Sequence, residues 1–465
     1  MVSSADLPHN IGFAMTSSTP HGSGPAVAHP PLRRALGRWD LTAIGINQVI
    51  GSAIFLMPSQ VAAHVGTWSP LAFLGAGLAT LIIGLCFAEV GSRFDATGGP
   101  YLYARRAFGR FVGFEVGWMA WFTRATSQAA VTAGLTLALG FYFPGLAEGV
   151  GRAAVVTTLT LALGAITFVG IKQSAWVVKV LTVAKLVPLA VFVVAGLLHV
   201  DPDLMVPLPP ITFEQAMSAG LLLIFVFGGF EVVGVPAGET RNPTRDVPIA
   251  LVATIVTVTV VFTLAQVAAV GTLPNLADST TPLADSALAT LGSSGALLIS
   301  LGSIFAMSGN IAGQILAGSR FLFAIAENGD LPQWFARVHP RFHTPSNAVV
   351  FTTLVALALA LSGSFVALAS AAAIARLLVY AGTCGATLAF RRPRVADQVA
   401  TATFTVPLGA LVPVAGILLS LLVVAGATRQ QVASGLVFLA FGALLFVVAR
   451  RGSAAGHGLS GGRRA

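Results

Sequence analysis

The chain has 465 residues, 55% of them hydrophobic and only 9% charged. A water-soluble domain carries about a quarter charged residues, so this composition excludes one and points to an all-α polytopic membrane protein. The formal net charge of +9 comes mostly from arginines; in such a chain it signals orientation, not nucleic-acid binding.

Residues 1–31 are rich in Ser, Pro, Gly and His, with one acid, Asp6, and no apolar run. That is no signal peptide; a disordered cytoplasmic tail over 1–38 is expected. His9, His21 and His29 are too scattered for a metal site. Cys86 and Cys384 lack metal-ligand or disulfide spacing and read as small core residues. Neither a metal nor another cofactor is implied.

Windows of about 20 apolar residues fall at 41–65, 69–92, 108–140, 153–170, 175–198, 215–238, 247–271, 290–323, 346–362, 365–389, 407–426 and 430–449. These are twelve predicted spans, the third and eighth long enough to be tilted or to extend past the membrane. With the N-terminus inside, the cytoplasmic segments hold nearly all basic residues: Arg33, Arg34, Arg38; Arg93, Arg105, Arg106, Arg110; Lys172; Arg241, Arg245; Arg337, Arg341; Arg391, Arg392, Arg394; and Arg450, Arg451, Arg463, Arg464. The outer loops hold acids (Glu148, Asp201, Asp203, Asp278, Asp285), and only Arg152 and Arg429 dissent. The bias places both termini in the cytoplasm of a multi-pass protein of the cell's inner (plasma) membrane.

Two spans are interrupted. Ile44 to Pro58, in the first, carries Gly45, Gly51, Ser52 and Pro58; Leu221 to Gly238, in the sixth, carries Gly228, Gly229, Gly234 and Pro236 and an acid, Glu231. A spanning helix hides its backbone polar groups, so opened backbone survives only inside protein or beside a wet cavity. A break near Gly51-Ser52-Ala53-Ile54, with a second at matching depth, is the sequence pointer to a transporter site; the alternative is kinking for packing alone. Five spans is an odd number, so a second five-helix unit starts from the opposite face, the condition for an inverted repeat. The expected units are 39–199 and 200–392, with spans eleven and twelve over 393–450 and a cytoplasmic tail over 451–465.

Three charged signatures follow spans two, six and eight: AEVGSRFDATGGPYLYARRAFG (Ala88–Gly109), GETRNPTRDVPIAL (Gly238–Leu251) and SRFLFAIAENGDLPQWFARVHPRFHTPSNA (Ser319–Ala348). With IGSAIF in span one and GGFE in span six, the chain resembles the amino acid–polyamine–organocation (APC) superfamily permeases from about Trp39 to Arg392. The resemblance implies a LeuT-type 5+5 inverted repeat with broken helices 1 and 6, plus two further helices. The family usually has Gly-Ser-Gly-Ile in span one; here Ala53 replaces the second Gly, which favours a small or differently posed substrate. Asp95 stands where Pro is common, a loop detail.

An amino acid brings a carboxylate and an ammonium. The free N–H groups of Ser52, Ala53 and Ile54, at a helix N-terminus, suit the carboxylate. The carbonyl end near Phe227 and Gly228, helped by Val49 or Ile50, suits the ammonium. Phe227 or Phe230 closes over the ligand or simply packs the core. Glu231 couples protons or braces the unwound backbone, since an acid at this depth faces the interior; Glu231→Gln is expected to flatten the pH dependence of uptake if it couples. The resemblance makes Lys185 a proton-coupling group that bridges the first and eighth helices where sodium-driven relatives hold an ion; the alternative is a permanently paired or snorkelling lysine. Arg124 either faces the cavity, binding an acidic group or repelling cations, or pairs with Glu115 or Glu231. Glu115 and Lys179 read as interfacial charges, and Arg376 is ambiguous. The expected function is a proton-coupled secondary active transporter of amino acids or amines, its partners being that solute, protons and the bilayer. Its rivals are an exchanger without net proton coupling and a non-transporting sensor. No nucleophile–base constellation marks an enzyme.

Overall fold

A computed structural model gives the fold and describes residues 32, 34–140, 143–206, 208–362, 365–425 and 429–460. The histidines at 9, 21 and 29, Asp6, and Arg33, Arg463 and Arg464 lie outside the described residues. Among the described residues every named element is helical. The first span is split into α1 (Arg38–Val49) and α2 (Ala53–Val65). Then come α3 (Ser69–Gly91), the short α4 (Pro100–Phe108), α5 (Arg110–Gly140), α6 (Gly149–Val169) and α7 (Ile171–Leu198). The second half holds α8 (Phe213–Phe227), α9 (Pro243–Thr272), α10 (Pro282–Glu327), α11 (Ser346–Ser362), α12 (Phe365–Ala389), the one-turn α13 (Pro393–Ala396), α14 (Leu411–Ala425) and α15 (Arg429–Ser460).

A helix lies over each of the twelve apolar windows. Among the described residues six helical stretches are long and apolar enough by themselves to cross a membrane: Ala53–Gly91, Gly149–Val169, Ile171–Leu198, Phe213–Gly234, Pro243–Thr272 and Pro282–Glu327. The length of α10 reflects a sharp bend rather than tilt alone, because Gly292 sits at φ +68° inside it. Helix starts follow local chemistry. At α8, Thr212 accepts from the Gln215 amide while the Gln215 side chain accepts from the Thr212 amide, the reciprocal cap that satisfies two orphan donors. Pro70, Pro100, Pro243 and Pro282 occupy first turns, where a missing N–H costs nothing.

One helix shows how burial is divided. On α7, Val180, Val183, Val187, Val191, Val194 and Leu198 are exposed, three or four residues apart, while Val178, Thr182, Lys185, Leu189 and Phe192 on the other face are buried. The exposed stripe is the face a lipid tail would cover; the buried face looks into the bundle. At the centre stand α5, buried from Gly113 to Thr136 except at Glu115, and the second half of α10. Close approaches use small residues: a side chain on Gly77 or Gly84 of α3 would collide with Thr259 or Ile255 of α9. Buried hydroxyls of Thr123, Thr167, Thr259 and Thr353 donate to carbonyls one turn back, which satisfies them without water.

One end of the bundle is rich in arginine, and there the three signatures interlock. Asp330 accepts from Tyr101 Oη, Arg105 Nε and Arg110 Nε at 2.9, 3.0 and 2.9 Å. Burial, with the charge of Asp330 beside it, raises the Tyr101 phenol above its ordinary value and keeps it a donor. Glu239 and Arg320, both fully buried, form a two-pronged pair at 3.0 Å per prong. Glu89 takes Arg391 through two nitrogens and the amide of Val406 at 2.8 Å.

Candidate functional site

The first break is three residues long. The amides of Ile50 and Gly51 donate to Ile46 and Val49, and the next backbone bond is Phe55 to Ser52 at 3.1 Å. Among the described residues the N–H groups of Ser52, Ala53 and Ile54 have no acceptor. The opening is held by side-chain amides from α10. Asn310 Nδ2 donates to the carbonyls of Gln48 (2.8 Å) and Asn47 (3.3 Å). In return Gln48 Nε2 donates to the Asn310 carbonyl at 3.1 Å and Asn47 Nδ2 to that of Gly309 at 2.6 Å. A Cβ on Gly51 would lie 2.7 Å from Asn310 Nδ2, so a side chain there would push this clamp aside. Lys185 of α7 completes the clamp: its Nζ donates to the Asn47 carbonyl (2.9 Å), Asn47 Oδ1 (2.6 Å) and the Ile50 carbonyl.

The second break follows α8. Gly228 is extended, Gly229 sits at φ +126°, and a 3₁₀ turn covers Phe230–Gly234. Four donors converge on Glu231. Oε1 accepts from Arg124 Nη2 (2.5 Å) and Arg376 Nε (3.1 Å); Oε2 accepts from the Gly229 amide (2.8 Å) and Tyr380 Oη (3.1 Å). The carboxylate thus pins the unwound turn to α5 and α12. The two breaks come close: a Cβ on Gly229 would lie 2.6 Å from the Gln48 carbonyl oxygen, in the last turn of α1. Only a glycine tolerates both that contact and that φ.

Between them lies a cavity of about 20 Å³. Gly51, Ser52 and Ala53 line it from the first break, Phe225 and Gly228 from the second, Asn310 and Gln314 from α10 and Arg376 from α12. Of the residues expected at the site, Gly51, Ser52, Ala53 and Gly228 are therefore on its wall. Ile50 gives its carbonyl to Lys185, and Ile54 is buried in the core. Phe227 packs on Phe73 and Phe262, and Phe230 on Phe87 and Tyr380, in aromatic clusters away from the lining, where Phe225 stands instead. Arg124 makes the internal pair with Glu231 rather than lining the cavity, because the carboxylate lies between them as a shared acceptor. Among the described residues the Lys185 ammonium donates to the first span, and its hydrogen-bonded link to α10 runs through Asn47. Lys179 forms an ion pair with Asp40, as an interfacial charge can. Glu115 differs: its carboxylate oxygens are buried with no hydrogen-bond partner among the described residues.

Sequence reasoning missed Asn47, Asn310, Gln314 and Tyr380 and left Arg376 open. A signal existed: amides and an arginine inside apolar windows face the bundle interior for the same reason Glu231 does. Among the described residues no group of three or more His, Cys, Asp or Glu side chains is placed to hold a metal.

The Amino acid permease family model matches residues 36–450. The methylthioribose transporter of Bacillus subtilis is 27% identical over 399 residues, covering 82% of this chain and 86% of that protein. The serine/threonine exchanger SteT of Bacillus subtilis is 30% identical over 342 residues, covering 70% and 76%. A mitochondrial cationic amino acid transporter 3 of Arabidopsis thaliana is 28% identical over 356 residues, covering 71% of this chain and 58% of that protein. The match across most of its length, over the same segments that build the two breaks and the interlocked end, makes this chain a member of the amino acid permease family, within the amino acid–polyamine–organocation superfamily.

Proposed function

We propose that the protein is a secondary active transporter of amino acids or related amines, seated in the cell's inner membrane with both termini cytoplasmic. Its twelve helical windows are read as twelve crossings, with 39–199 and 200–392 as the two five-helix units of a LeuT-type inverted repeat. One observation carries the reading: the unwound segment of span six meets span one beside its own break, Gly229 lying against the carbonyl of Gln48 in the last turn of α1. The unpaired amides at Ser52–Ile54 present partial positive charge for a carboxylate, and the carbonyl end of α8 presents partial negative charge for an ammonium. The cavity is too small for an amino acid and has room for about one water. The described state is therefore closed on the site, and the substrate enters when the bundle rocks open. The arginine-rich end, held by Asp330 and by Glu239 with Arg320, is the cytoplasmic seal of that state.

Proton coupling is assigned to Lys185. Its ammonium holds the carbonyls of Asn47 and Ile50 across the first break; losing a proton would loosen that hold and let the break change shape. Glu231 braces the second break. The test is uptake of radiolabelled amino acids and amines by purified protein in vesicles with imposed gradients. A proton gradient is expected to drive accumulation and sodium to have no effect. Strict sodium dependence would remove the coupling role of Lys185, and failure to carry any amino acid or amine would remove the reading itself. One observation favours a second mode: a serine/threonine exchanger is among the relatives. Counterflow into preloaded vesicles without a gradient separates exchange from net uptake.

A further inference from the structure

The charges around Glu231 do not balance. Arg124 and Arg376 share one carboxylate, and all three side chains are 3% exposed or less. Among the described residues neither arginine pairs with a second acid, so the group carries one surplus positive charge. Among the described residues Nη1 of Arg124 and Nη1 of Arg376 have no hydrogen-bond partner. Arg376 Nη1 stands where a Cβ on Gly228 would be, against the second break, and Arg376 is the one charged residue among those lining the cavity. The glycine is what lets the guanidinium reach that position. A buried guanidinium with an open donor is costly unless an anion meets it.

The site therefore offers two places for negative charge and one for positive. The amides of Ser52–Ile54 take one carboxylate, the carbonyl end of α8 takes an ammonium, and Arg376 Nη1 remains for a second anion. We propose that the substrate is an acidic amino acid, a net −1 solute whose side-chain carboxylate binds Arg376. Such a solute cancels the surplus charge. A neutral amino acid leaves it, and a cationic one adds to it in a cavity whose described lining residues include no carboxylate. This rests on the transporter reading above and names its substrate class.

The test uses the full-length protein. In detergent, aspartate or glutamate is expected to raise the thermal midpoint, while alanine, serine and lysine at equal concentration give a smaller rise or none. In vesicles the acidic amino acids are expected to compete best for uptake. Arg376→Gln is expected to lower the acidic-to-neutral uptake ratio by about tenfold or more, the worth of one charge-assisted hydrogen bond, and Arg376→Lys to restore part of it. Equal binding of neutral or cationic amino acids by the unaltered protein overturns the proposal, whether or not the variants fold. So does an Arg376→Gln protein whose ratio is unchanged, or a midpoint rise that sodium chloride alone reproduces. Acidic amino acids that bind but are never carried would leave this inference standing and remove the transporter reading instead.

Discussion

At the residue scale the site depends on what is missing as much as on what is present. Gly229 combines φ +126° with a carbonyl oxygen 2.6 Å from where its Cβ would lie. Backbone on both sides cannot move aside cheaply, so Gly229→Ala is expected to destabilise by about 3 kcal/mol or more, the sum of strain and overpacking, read as a lower thermal midpoint in detergent. Gly51→Ala meets only the Asn310 side chain, at 2.7 Å. Asn310 can rotate away, but it then drops the carbonyls of Asn47 and Gln48. The expected result is transport lost with the midpoint lowered by less than in Gly229→Ala. Glu231→Gln keeps the shape and removes the charge that two guanidiniums share. Breaking such a buried group costs about 3–5 kcal/mol, so a clear fall in the midpoint is expected. If bracing is its whole role, the pH profile of residual uptake keeps its shape; a flattened profile would assign proton carriage to Glu231.

At the element scale the three charged signatures act together. The loop after the second break is tied to α10 by Glu239 and Arg320 and to the start of α1 by the Leu36–Thr240 bridge. The amide of Leu36 donates to the Glu239 carbonyl at 3.0 Å and that of Arg241 to the Leu36 carbonyl at 2.9 Å. The α4–α5 corner is tied to the end of α10 through Asp330. If that end is the proposed seal, the buried pair of Glu239 and Arg320 is expected to carry more of it than the half-exposed Arg110, because burial reduces solvent screening. Glu239→Gln is therefore expected to open the seal more than Arg110→Gln. The measurement is labelling of Ser52→Cys by a membrane-impermeant thiol reagent in inside-out vesicles. A several-fold faster reaction in Glu239→Gln is expected, and equal rates would mean that this pair does not hold that end closed.

At the scale of the whole molecule, apolar exposure and arginine placement divide the surface. Lipid-facing stripes such as that of α7 leave the bundle's flanks apolar, and the ion-paired arginines of the charged signatures, Arg105, Arg110 and Arg320, lie together with Asp330 and Glu239 where those signatures interlock. Arg152, which breaks the charge bias, has local work: its Nη2 donates to the carbonyl of Ala360 at 2.7 Å, near the end of α11, where a cation complements the helix dipole. Both termini are expected on the cytoplasmic side, so protease added outside intact cells should spare tags at either end. Cleavage of one tag alone would mean an odd number of crossings.

The sequence by itself determined the helices, the windows they fill and the two places where they fail. Those follow from local chemistry: apolar runs of spanning length, with glycines and prolines that cannot continue a helix. It also marked Glu231, Lys185 and Arg124 as interior, because charge within an apolar window has nowhere else to go. Only the tertiary structure decided whom they meet. Arg376 lies 145 positions from Glu231, and Lys185 lies 138 from Asn47. No periodicity carries information across such separations. Which phenylalanine reaches the cavity was likewise a matter of packing, since Phe225, Phe227 and Phe230 are equally apolar and differ only in the direction the broken helix turns them.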